Sequence, residues 1–138
     1  MRLFLDANIL FSAAKTDGAV RELLRRVLEA GHECLVDDYV VFEARRNLVA
    51  KGPEALVALD RLLASCTAHR AQEPQSRASR PEIDWLPEKD RIVLAAAIRC
   101  RCDALLTGDR THFGRNYGKA FAEVTIHSPR SLAEFLYR

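Results

Sequence analysis

Apolar and polar positions along this chain fall into two rhythms. Short apolar runs, Leu3–Leu5, Glu33–Val36 (ECLV) and Ala104–Leu106, read as buried strands; a last one is Glu123–Ile126. Between them lie longer stretches whose apolar residues recur every three or four positions. After Gly18, AVRELLRRVLEAG sets Val20, Leu23, Leu24, Val27 and Leu28 on one face and Arg21, Glu22, Arg25 and Arg26 on the other, with Gly31 closing the helix. Asp37 or Asp38 caps a helix over about Tyr39–Lys51; Gly52 and Pro53 break it, and Glu54–Leu63 resumes with Leu56, Leu59, Leu62 and Leu63 on its apolar face. These two helices suggest an antiparallel pair. Thr67–Ala71 is a weaker strand signal.

The segment from Gln72 to Pro87 carries three of the five prolines and reads as an exposed loop. Glu88 opens an alanine-rich helix (PEKDRIVLAAAIRC), and the strand Ala104–Leu106 runs into Thr107, Gly108 and Asp109. RTHFGRNYGK is turn-rich. Ser128 and Pro129 start a terminal helix. Strands alternating with helices imply βαβ units and a mostly parallel sheet with right-handed crossovers.

Composition narrows this picture only modestly. With 138 residues, 49% of them apolar and 29% charged, the chain fits one globular domain able to bury a core without a staple. The net charge of +2 neither demands nor excludes a nucleic-acid partner. Asp6 interrupts the apolar start, unlike a signal peptide, and no run is long enough for a membrane span, so a cytoplasmic protein with four reduced cysteines is expected. The close pair Cys100 and Cys102 lacks zinc-knuckle spacing and a second pair.

The chemistry lies in four acids. Asp6 and Asp109 follow strands, Glu43 sits early in the helix after the second strand, and Asp90 lies in the first turn of the alanine-rich helix. All four fall on the carboxyl-end side of a parallel sheet, where ligands bind. Acids brought that close repel one another unless a divalent cation neutralises them, and an all-oxygen set suits Mg²⁺ or Mn²⁺. Each acid also has a local explanation: Asp6 as a helix cap, Asp90 as a first-turn acid, Asp109 in an Asx turn, and Glu43 as a surface partner of Arg46 or Asn47.

The motifs DANILF at Asp6, YVVFEARRNL around Glu43, PEKDRIVLAAAI at Asp90 and LLTGDRTHF at Asp109 resemble, in order and interval, the successive acidic motifs of the PIN-domain family. The chain is most similar to the small members that serve as VapC-like toxins in toxin-antitoxin pairs. The resemblance implies a three-layer α/β/α sandwich and a metal-dependent endoribonuclease. It implies that Asp6, Glu43, Asp90 and Asp109 are catalytic carboxylates holding one or two Mg²⁺ or Mn²⁺ ions, with Asn8 and Thr107 as polar supports. Asp38 or Asp37 is the fallback if the second acid is misaligned. It further implies an RNA substrate, a cognate antitoxin and a homodimer; the leucines between Leu48 and Leu63 would serve the dimer or simply the core.

Arg45, Arg46, Arg91 and Arg110 flank the acids and are candidates for RNA phosphates, or else lie on solvated helix faces. His112 reads as a loop residue, since a metal mechanism needs no histidine base. Two rivals remain at this level. A non-catalytic PIN-like module would bind RNA or protein without metal. A haloacid-dehalogenase-type phosphatase expects a second Asp where Asn8 stands and an acid where Phe113 stands.

Overall fold

The computed structural model describes residues 1–71 and 83–137. Among the described residues six strands form one sheet, β1 (Arg2–Leu5), β2 (Glu33–Asp37), β3 (Thr67–His69), β4 (Ala104–Leu106), β5 (Ala120–Phe121) and β6 (Val124–His127), in the order β3-β2-β1-β4-β6-β5. All neighbouring pairs are parallel except β5 with β6. Leu3, Phe4 and Leu5, then Ala104, Leu105 and Leu106, are at most 1% exposed without alternation, so both faces of β1 and β4 are covered. That is the pattern of a central sheet between two helical layers, a three-layer α/β/α sandwich.

The helices are α1 (Ala7–Lys15), α2 (Ala19–Glu29), α3 (Asp38–Lys51), α4 (Leu56–Leu63), α5 (Glu88–Arg99), α6 (Arg110–Phe113) and α7 (Pro129–Tyr137). The first follows Asp6 directly and packs on α3 and α4, while α2 meets α7. None is long and apolar enough to cross a membrane.

The predicted strands and helices are present, with two differences in the second half. Most of the segment from Gln72 to Pro87 lies outside the described residues, but Ile83 and Leu86 are only 3% exposed, so its end is core and not surface loop. The turn-rich stretch after Asp109 also folds further than expected. It makes α6, then a two-residue hairpin in which Ala122 (φ 47°) and Glu123 (φ 69°) are both left-handed. The last strand starts at Val124, not Glu123, because Glu123 belongs to that turn.

Topology fixes where a site can form. The chain passes from β1 to β2 and β3 on one side and returns through β4 and β6 on the other, so the order reverses between β1 and β4. The crevice beyond the carboxyl ends of these two strands is the switch point of an open α/β sheet. Asp6 and Thr107 are the residues that leave those strands.

Candidate metal centre

Backbone ladders place the first acid. The Asp6 N–H still donates to the Leu106 carbonyl at 3.0 Å, and Thr107 N–H to the His127 carbonyl at 3.0 Å. Beyond these bonds both chains turn, and their side chains meet. The Thr107 hydroxyl donates to Asp6 Oδ2 at 2.8 Å, and Asn8 Nδ2 lies 3.4 Å from both that oxygen and Thr107 Oγ1. Asn8 Oδ1 in turn accepts from the Gly108 N–H at 2.8 Å. Asp6 Oδ1 accepts from Ala7 N–H at 2.7 Å, so the capping expected of this acid is real and coexists with its place in the crevice.

Asp109 is held similarly. Its N–H donates to Thr107 Oγ1 at 3.2 Å, while its Oδ1 accepts the N–H groups of Thr111 and His112, capping α6. Asp90, in the first turn of α5, is 6% exposed and near enough for its charge to act on Asp6. Burial pushes the Asp6 carboxyl above the ordinary carboxylate range, and the charges of Asp90 and Asp109 add to this. Burial likewise raises Asp90, with Asp109 pushing the same way and His112 opposing. Asp6 and Asp90 therefore both resist ionisation in this crevice, and the charge of Asp109 adds to the resistance of each.

Glu43 stands beside this group with its charge already met. Its side chain, 9% exposed, pairs with Arg46 at 2.9 Å and with Lys89 at 3.6 Å. The phenol of Tyr39, raised first by burial and then by Glu43, Asp6 and Asp90, lies among these acids. Of the two fallbacks for the second acid, Asp37 caps α3, its carboxylate accepting from the Val40 N–H at 3.0 Å, and Asp38 is exposed at the start of that helix.

The cationic rim differs from expectation. Arg45, nearly opposite Glu43 on the helix, pairs with Asp60 of α4 at 2.7 Å, whereas Arg46 pairs with Glu43 itself. Arg91 buries its Nε without a hydrogen-bond partner among the described residues, and Arg110 is exposed.

Sequence reasoning missed three contributors: Lys89, Tyr39 and above all His112. Its Nδ1 lies 2.7 Å from Asp90 Oδ2 and 2.9 Å from Asp109 Oδ2, so it is no mere loop residue. Lys89 was legible as the neighbour of Asp90. His112 was not, because its role depends on α5 arriving from elsewhere.

The residues fit a divalent cation. Asp90 Oδ2 is a buried carboxylate oxygen without a properly directed hydrogen bond among the described residues. Orphaned anionic oxygens of this kind are costly unless a cation completes them. Asp90, Asp109 and His112 each offer a donor atom, all within 4.8 Å of one another.

Comparison with known proteins bears on the fold and the family. The crystal structure of VapBC2 from Rickettsia felis, bound to a DNA fragment from their promoter, contains a similar chain: TM-score 0.64 at 14% identity, covering 93% of this chain and 98% of that one. No curated protein sequence matches. A family profile described as PIN domain matches residues 2–111, most of the sheet and all four acids, and the chain accordingly belongs to the PIN-domain family.

Proposed function

We propose that this protein is a divalent-metal-dependent endoribonuclease and the toxin of a toxin-antitoxin pair, working as a single domain in the cytoplasm. The observation that carries the nuclease reading is the convergence of Asp90, Asp109 and His112, with Asp6 near enough to feel the charges of Asp90 and Asp109 and one buried Asp90 oxygen left without a directed donor among the described residues. Asp6, Asp90 and Asp109 would hold Mg²⁺ or Mn²⁺, with Glu43 as the fourth acid. Such an ion supplies Lewis acidity toward a phosphodiester and lowers the pKa of a bound water.

The chain's own residues prepare that chemistry. Thr107 and Asn8 direct hydrogens at Asp6 Oδ2 and so fix which way the carboxylate faces. Lys89 and Arg46 neutralise Glu43, keeping a fourth negative charge from adding its full repulsion. Arg46, Arg91 and Arg110 would be the phosphate contacts; Arg45, tied to Asp60, is the weakest of the four candidates. The toxin role rests on the family together with the VapBC2 likeness, and an antitoxin is its implied partner. Exposed Phe42 and Val49 on α3 and Val57 on α4 offer an apolar surface for homodimerisation.

The test is cleavage of single-stranded RNA with Mn²⁺ by wild type and by Asp6→Asn. Loss of one ligand carboxylate is expected to lower the rate by about a hundredfold or more, since metal stabilisation contributes several kcal/mol. Undiminished cleavage by the variant would overturn the reading.

A further inference from the structure

We infer that His112 is itself a metal ligand through Nδ1, so that the centre is a mixed nitrogen and oxygen site selecting Mn²⁺ and the later transition ions over Mg²⁺. This rests on the metal-dependent reading above and adds to it a donor that an all-carboxylate set lacks.

Hydrogen counting makes the argument. An imidazole Nδ1 carries at most one hydrogen, yet two carboxylate oxygens lie within 2.9 Å of it. The directed contact goes to Asp109 Oδ2, which leaves Asp90 Oδ2 at 2.7 Å from a nitrogen with no hydrogen between them. In the tautomer with its hydrogen on Nε2, Nδ1 instead presents a lone pair to the gap the two oxygens share. Donors at neighbouring vertices of an octahedral ion with bonds of about 2.1 Å sit about 3.0 Å apart, close to both observed separations.

The backbone that carries the imidazole is also anchored. Asp109 Oδ1 holds the His112 N–H at 3.2 Å, and the next residue, Phe113, is fully buried. An incoming cation therefore meets a histidine whose backbone is anchored on both sides, and the Nδ1 lone pair coordinates it with the hydrogen kept on Nε2. Imidazole suits transition ions better than Mg²⁺, whose preference is for carboxylate and water.

Two measurements on the full chain test this: calorimetric titration with MnCl₂ and with MgCl₂, and pulsed electron paramagnetic resonance of the Mn²⁺-loaded protein. Wild type is expected to show modulation from a directly bound ¹⁴N, absent in His112→Gln. Mn²⁺ affinity in that variant should fall about tenfold or more while Mg²⁺ affinity changes much less. His112 is exposed, and circular dichroism checks that the variant is folded. Mn²⁺ bound by wild type without ¹⁴N modulation, or as tightly by His112→Gln, overturns the role of His112 alone. A wild type that binds no Mn²⁺ overturns the metal centre and this inference together.

Discussion

Thr107 is fully buried, and its hydroxyl serves three partners at once: it donates to Asp6 and accepts from Asn8 and from the Asp109 N–H. Replacing it by valine keeps the volume and removes every one of these bonds. Thr107→Val is expected to lose about 1–3 kcal/mol in denaturant unfolding, the usual cost of stranding buried polar groups, whereas Thr107→Ser retains most of it. The same change raises the Asp6 carboxyl further, because the Thr107 hydrogen bond is the largest influence holding it down. The TGD turn was legible in the sequence because a polar triplet ends an apolar run. That its threonine reaches 101 positions back to Asp6 was not.

At the level of elements, two helices end in the same left-handed turn with different residues. Helix α2 closes on Gly31 (φ 87°), with the His32 N–H reaching back to the Val27 carbonyl. Helix α5 closes on Arg101 (φ 54°), with the Cys102 N–H on the Ala97 carbonyl. Glycine adopts this conformation without the Cβ clash that arginine suffers. Arg101→Gly is therefore expected to stabilise the fold by about 1 kcal/mol, read as a shift of the urea midpoint at unchanged slope. The first ending was visible in the sequence and the second was not. The β5 to β6 hairpin escaped notice for the same reason, since Ala122 and Glu123 occupy positions where Asn-Gly is the usual signal.

For the molecule as a whole, the acidic crevice couples stability to pH and to metal. The folded-state pKa of Asp6 is raised, so its contribution is fully present below the ordinary value of 3.8 and is lost as pH rises through the folded pKa. Asparagine at this position still caps and does not titrate. In chelator, the Tm of Asp6→Asn is therefore expected to exceed that of wild type by a margin that grows as the pH is raised from 3.8 to neutrality. Comparing the two proteins cancels groups remote from Asp6, including His127, which burial shifts downward, and relief of the Asp90 and Asp109 repulsion acts in the same direction. Adding Mn²⁺ at about a hundred times its Kd should raise wild-type Tm by roughly 10 °C and the variant's far less. A margin that shrinks with rising pH would contradict the placement of Asp6.

Period and punctuation alone determined the order of most strands and helices and the mostly parallel sheet, and the resemblance to PIN-domain motifs singled out the four acids. Burying apolar runs and capping helix ends are local demands, written where they act. Tertiary structure decided which charges face one another. Asp60 takes Arg45 away from the acids, Lys89 reaches Glu43, and α5 carries Asp90 to His112. Electrostatics depends on distance in space, and for side chains far apart along the chain only the folded sheet sets that distance.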